Sequence, residues 1–275
     1  LVLICFTLIA IYPILWVLAL AFSGGQSMMI ADLPAAPTLA DRLRIVLPWP
    51  QALSLKNFID VLIDEPFGRW LFNSAVVAGA TTLLGVFLAC TAAYAFSRFR
   101  FRFRNYLRAQ FLVINMFPVV MLILPLFILM RQYGLLDTYF ALIIGHGTFT
   151  LPFSIWLLTS YFEGIPQELD QAAMIDGATR WQSFSKVVLP MVKGGVAAAA
   201  VLCFIFAWTE FLLSLFLTTQ IRAIPVKIQT FVTSTGNEWG FITALGTAAV
   251  IPSFIFILLV QRHLVRGLTL GSLKE

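Results

Sequence analysis

The sequence has 275 residues, 60% of them hydrophobic and only 11% charged, less than half the roughly 25% charge of an ordinary globular domain. A soluble fold could not hide so much apolar surface, and the same composition excludes a disordered chain. Cys5, Cys90 and Cys203 are an odd number set in apolar runs and build no disulfide scaffold, while a net charge of +5 in so apolar a chain reports membrane topology rather than nucleic-acid binding.

A helix needs about 20 apolar residues to cross the hydrocarbon core. Five stretches carry no charge: Leu1–Ala31, Trp70–Ser97, Ala109–Met130, Thr138–Phe162 and Trp239–Gln261. A sixth, Gly194–Ile221, carries only Glu210. Backbone groups in lipid must be satisfied within the segment, so each span is expected to be helical. None shows the ten-residue alternation of a membrane barrel. The expectation is an all-α membrane protein of six transmembrane helices. It divides into a first helix with an outer loop (1–69), a five-helix core (70–262) and a tail (263–275). The chain opens at Leu1 inside an apolar run. The first span is too long for a signal peptide, and a short cytoplasmic leader is expected ahead of it.

Lys and Arg set the orientation. Six spans put both termini on one side with the second and fourth connections, and that side holds eleven of the 18 basic residues against seven. Five of them, Arg98, Arg100, Arg102, Arg104 and Arg108, crowd into the turn after the second span. The positive-inside rule therefore puts both termini, that turn and the 163–192 connection in the cytoplasm; the Arg run also suits anionic lipid head groups. The outer loop from Ser23 to Arg69 contains Pro34, Pro37, Pro48 and Pro50, and a short helix is expected over Leu55–Ile63.

The 163–192 connection predicts two short helices with a break between them. Pro166 suits the start of the first and Glu168 its first turn. Gly177 ends it in a left-handed conformation. Thr179 caps the second, with Gln182 completing a capping box, and Trp181, Phe184 and Val188 share a face. Leu169, Ala172 and Ala173 give the first helix a small apolar face, with Asp176 at its end. An interfacial membrane helix wants bulky apolar residues and a basic polar face; alanines and acids fit a protein partner.

At depth, Glu210 is the single acid within a span, which makes a pathway role the default and an interhelical hydrogen bond the alternative. Asn115 and His146 are further pathway candidates, and Phe117, Trp156 and Trp208 suit either stacking on a sugar or packing. No phosphate-binding loop, metal-ligand spacing or nucleophile elbow occurs in the sequence, so catalysis is not expected.

Gln171-Ala-Ala-Met-Ile-Asp-Gly-Ala178, followed by Phe184 and Leu189-Pro190, resembles the Glu-Ala-Ala loop of ABC-importer permeases, with Gln171 where that family usually has Glu. The end Gln261 to Glu275 is similar to the terminus of the maltose-permease (MalG-like) branch, as are Ala93-Tyr-Ala-Phe-Ser-Arg98, Asn115-Met-Phe-Pro118 and Ala207-Trp-Thr-Glu-Phe-Leu212. The resemblance covers essentially the whole chain. It implies the type I ABC importer permease fold in a bacterial inner membrane, with the chain as half of a sugar translocation pore. The implied partners are a second, MalF-like permease, two ATPase subunits and an extracytoplasmic sugar-binding protein. ATP and Mg would be bound by the ATPases, with no cofactor on this chain. It also implies a coupling loop carried by Leu169, Gln171, Ala172, Ala173, Asp176, Gly177, Ala178, Phe184 and Pro190, and a tail contact through Gly267, Thr269, Gly271 and Lys274.

Two other readings stand beside this one. An ABC permease for glycerol-3-phosphate or a sulfonated sugar should place a basic residue at mid-span, and none is there. An independent channel or secondary transporter should show inverted repeats and several ionisable groups at depth; no internal repeat is evident in the sequence.

Overall fold

The computed structural model describes residues 2–26, 38–39, 47, 50, 53–234 and 236–271, with 262–271 described by backbone alone. Among these the chain is mainly helical, with an isolated bridge between Ser23 and Leu53 and, after α12 (Ile224–Thr230), a two-stranded hairpin, Val232–Thr233 paired antiparallel with Gly236–Asn237. Four helices are long and apolar enough to cross a membrane: α1 (Val2–Ala21), α3 (Phe67–Arg98), α6 (Tyr139–Glu163) and the first 23 residues, Trp239–Gln261, of α13 (Trp239–Gly271). The number rises to six if each of two bent pairs, Arg104–Met116 with Val119–Gln132 and Arg180–Met191 with Lys193–Thr209, is one span. The described residues fall into two compact units, Leu1–Phe72 with Ala223–Pro252, and Asn73–Arg222 with Ser253–Glu275.

In the first unit, α1 is exposed along nearly its whole length, with only Ala19 and Ala21 buried. The expected outer-loop helix is present as α2 (Lys56–Ile59), continued by a π-helical turn over Asp60–Asp64. Its buried Asn57 makes a local knot. The Asn57 amide donates to Ser23 O at 2.6 Å, and Gln26 Nε2 donates to Asn57 Oδ1 at 2.8 Å. Gln26 in turn accepts from the backbone N–H groups of Trp239 and Phe241. Gly240 is required there, because a Cβ would lie 2.7 Å from Gly25 O and 2.8 Å from Asn57 Cγ.

The second unit has two cores. One joins the second half of α3 (Val86 to Phe96) to Ile155, Leu158 and Phe162 of α6 and to Phe184, Val188 and Val192. The other joins Val77 to Ile123, Leu126 and Met130, to Ala141 and Leu142, and to Leu213 and Leu217. Helix α10 (Lys193–Thr209) approaches α6 closely because Gly195 leaves room for the Tyr161 ring. Between α5 (Val119–Gln132) and α6, Asp137 sits at φ 61 and accepts from the backbone N–H groups of Thr219, Gln220 and Ile221. Burial alone would raise its carboxyl, but these bonds hold it below the usual carboxylate range.

Two spans expected as continuous helices are broken. The Ala109–Met130 stretch divides into α4 (Arg104–Met116) and α5 (Val119–Gln132), bent by 100°. Pro118 has no N–H and forces Phe117 into an extended conformation (φ −73, ψ 130), which ends α4. The Gly194–Ile221 stretch breaks where α10 ends at Glu210, itself extended (φ −69, ψ 129), before α11 (Leu212–Leu217) begins.

Candidate functional site

Two places collect the polar chemistry of the second unit. The first is the 163–192 connection. Helix α7 (Glu168–Ile175) is followed by Gly177 at φ +88, the left-handed break anticipated from the sequence. The Thr179–Gln182 capping box is fully formed, with Thr179 N–H donating to Gln182 Oε1 at 2.8 Å and Gln182 N–H donating to Thr179 Oγ1 at 3.3 Å. Beyond it the chain winds through α8 (Arg180–Gln182), a π-helical turn over Ser183–Val188 and α9 (Leu189–Met191). Phe184 and Val188 turn into the core, with the Phe184 ring 4.9 Å from Tyr94, whereas Trp181 is exposed. Pro190 is exposed and Ala178 half-buried.

The outward face of α7 differs from the face expected. Leu169 and Ala173 are half-buried, while Gln171, Ala172, Asp176 and Gly177 are exposed. Ile175 is 86% exposed, the largest apolar group on that face. The register is decided by Asp170, which no sequence signal singled out. Its side chain is 7% exposed and pairs at 2.6 Å with Arg98 Nε, itself 4% exposed. Tyr94 OH and Ser183 OH donate to the same carboxylate at 2.7 and 2.8 Å. Arg98 also donates from Nη1 to Phe162 O and from Nη2 to Ile165 O. Burial pushes the Asp170 carboxyl upward, but hydrogen bonds from Tyr94, Ser183 and Arg98 and the guanidinium charge outweigh it and hold the group below the usual carboxylate range. Each side-chain N and O atom of the Asp170–Arg98 pair therefore has a partner, and holding Asp170 inward turns Gln171, Ala172 and Ile175 outward. Nearby, Arg108 grips Glu163 bidentately at 2.7 and 3.0 Å and Arg104 adds a third bond at 3.0 Å.

The second place is a cavity of about 160 Å³ lined by Asn115, Phe117, Val119, His146, Phe149, Thr150, Phe153, Phe206, Glu210 and Leu213. It brings together all three residues expected to line a pathway. Both helix breaks meet here: Asn115 and Phe117 come from the end of α4, and Glu210 from the end of α10. Glu210 accepts from Leu212 N–H at 2.7 Å and Leu213 N–H at 2.9 Å, so its carboxylate caps the orphan donors at the start of α11. Its Oε2 is 3.7 Å from His146 Nε2. Asn115 donates to Phe111 O at 2.7 Å. Trp156 and Trp208 are not among the lining residues. In the tail, Gly267, Thr269 and Gly271 continue the helical backbone of α13 without interruption after Gln261, and Lys274 lies outside the described residues.

Residues 81–270 match the family described as "Binding-protein-dependent transport system inner membrane component". The chain is 37% identical over 269 residues to the trehalose transport system permease protein SugB of Mycobacterium tuberculosis, covering 96% of this chain and 93% of that one. It is 34% identical to the sulfoquinovosyl glycerol transport system permease protein SmoH of Agrobacterium fabrum, covering 96% and 89%. It is likewise 34% identical to the trehalose/maltose transport system permease protein MalG of Thermococcus litoralis, covering 97% and 92%. Among solved structures, a bacterial ABC transporter described as importing the acidic polysaccharide alginate contains a chain that superposes with a TM-score of 0.76, at 24% identity and over 95% and 93% of the two chains. At that identity the likeness speaks for the fold alone.

Proposed function

The chain belongs to the family of binding-protein-dependent transport system inner membrane components, the permeases of ABC transporters, and we propose that it serves as one permease subunit of an importer for a neutral di- or oligosaccharide of the trehalose or maltose kind. In this reading it is a multi-pass protein of the bacterial inner membrane with six spans and both termini in the cytoplasm. It forms half of the translocation pore beside a homologous permease. A soluble sugar-binding protein delivers solute from outside, and two ATPase subunits, which carry the ATP and Mg, dock from inside.

The observation that carries this reading is the pinned loop. The buried Asp170–Arg98 pair fixes α7 against the end of α3 while Gln171, Ala172 and Ile175 stay exposed beyond it. An anchored helix with an outward apolar tip suits insertion into a cleft of an ATPase, whose closure would then pull on α3 and α6 directly. Gln171, in place of the usual Glu, leaves this contact to shape and apolar area rather than charge. The tail 263–275, with Gly267, Thr269, Gly271 and Lys274, is a second contact toward the ATPases. The neutral-sugar preference rests on the cavity lining, which contains a carboxylate and no Lys or Arg.

The test is Gly177→Leu. At φ +88, with nothing within 4 Å of a new Cβ, the substitution strains the backbone without crowding. The expected result is an assembled complex that has lost sugar-stimulated ATP hydrolysis. Purification from native membranes that recovers neither an ATPase nor a second permease, or full stimulation in Gly177→Leu, would refute the coupling role.

A further inference from the structure

We propose that the cavity at the two helix breaks is a subsite for a neutral hydroxylated ligand, one ring of a sugar, whose neighbouring hydroxyls donate to His146 Nε2 and Glu210 Oε2. The inference rests on the sugar-importer reading and assigns part of the recognition to this subunit.

The argument begins with His146. Its ring is buried, with the residue 3% exposed, and Nδ1 lies 2.6 Å from Leu142 O. A carbonyl only accepts, so Nδ1 carries the hydrogen, and in the neutral ring Nε2 is left with a lone pair. That nitrogen has no hydrogen-bond partner among the protein atoms. A buried acceptor left so costs free energy unless something donates to it. What it faces is a second acceptor: Glu210 Oε2, 3.7 Å away, which already takes a backbone N–H. That separation exceeds the ~2.7–2.9 Å of a charge-assisted N–H···O bond, so the two side chains are not closed on each other by a proton of their own. Two acceptors facing across such a gap call for two donors, and adjacent hydroxyls of a polyol supply one to each.

The surroundings fit the same ligand. Phe117, Phe149, Phe153 and Phe206 line the cavity, and apolar aromatic walls with a few fixed polar groups are the usual make-up of a small-molecule site. The volume, about 160 Å³, is close to the ~150 Å³ of an engineered protein cavity that takes up benzene, room for one ring. Non-helical backbone at membrane depth is tolerated where it is enclosed by protein or lines an aqueous cavity, and both breaks are placed here. An anionic group would meet the Glu210 carboxylate with no Lys or Arg in the lining to offset it. Phe117 and Phe206 are 51% and 59% exposed on this chain. They line the same cavity as the Glu210 carboxylate, a group that is costly against lipid, so this face turns toward the interior of the assembled transporter.

The experiment uses the whole transporter, reconstituted with its partner subunits and binding protein, with this chain alone carrying ¹⁵N-histidine. The chain has two histidines, so the His146 signal is identified by its loss in His146→Gln. Trehalose and maltose are the probes, alongside their monodeoxy analogues. We expect sugar to move the His146 Nε2 resonance, and at least one monodeoxy analogue to be transported about tenfold more slowly than its parent. In Glu210→Gln that ratio should fall toward one, a change that loss of a helix cap alone would not produce. Uptake of either sugar with a static Nε2 signal overturns the subsite and leaves the importer reading intact. So does a doubly protonated ring that ignores sugar, since that is a closed ion pair. A wild-type complex that neither transports nor responds to either sugar overturns both readings. If Glu210→Gln fails to assemble, the titration of the unaltered chain still decides.

Discussion

Replacing Asp170 by Ala should release α7 while leaving the rest of the second unit folded. The carboxylate accepts from Arg98, Tyr94 and Ser183 at 2.6, 2.7 and 2.8 Å. Its removal strands a guanidinium that is 4% exposed, with only the Phe162 and Ile165 carbonyls left to it. Removing one member of a buried pair typically costs about 3–5 kcal/mol. If about 3 kcal/mol of that falls on the local opening of α7, amide exchange there should accelerate by about two decades, at 1.4 kcal/mol per decade. Hydrogen exchange of the 168–178 segment in the purified complex measures it. A double variant, Asp170→Leu with Arg98→Met, should recover much of the protection, because an apolar pair of similar volume leaves no buried charge. The same group sets a pH dependence. Its folded value is depressed, so its contribution is complete above its unfolded value, about 3.9, and is lost as pH falls through the lower folded value. Loop protection should therefore be flat from pH 5 to 8 and fail in acid. Unchanged exchange in Asp170→Ala, no recovery in the double variant, or protection that persists unaltered in acid would refute the anchoring argument.

Three further outcomes are expected. Ile175→Glu should weaken ATPase co-purification by about tenfold or more, since docking would bury a side chain that is 86% exposed and burial of an Ile is worth about 1.5–3 kcal/mol; a titration with the isolated ATPase reads it, and an unchanged affinity would remove Ile175 from the contact. Gly195→Ala should lower the melting temperature of the detergent-solubilised protein, because its Cβ would overlap the Tyr161 ring and overpacking costs about 1–3 kcal/mol; Gly195→Ala with Tyr161→Leu should restore it. Gly240→Ala should expose the Asn57 knot to exchange, since the new Cβ meets Gly25 O at 2.7 Å, and an unaltered Asn57 side-chain environment by NMR would refute the packing argument.

Much of this protein was legible without coordinates because its strongest signals are local. Charge-free runs mark apolar helices regardless of what they pack against. The Thr179–Gln182 capping box and the left-handed Gly177 depend on residues three apart and on one backbone angle, and both stand as the sequence implied. Pro118 was equally visible, yet the 100° bend it produces was not anticipated, because a proline within an apolar run is compatible with a kinked span as well as a broken one. The tertiary structure alone decided the rest. Asp170 and Arg98 lie 72 positions apart, and neither residue announces a partner; an acid between Leu169 and Gln171 reads locally as one more polar helix position. The outward turn of Ile175 follows from that distant pair, and helix periodicity by itself could not choose the inward face. Glu210, Asn115 and His146 were separately suspect because polar groups are costly in lipid, but only the convergence of two helix breaks on α6 places them around one cavity. Short-range rules fix which elements form and where they end, whereas the matching of buried donors and acceptors across the chain fixes which way each element faces.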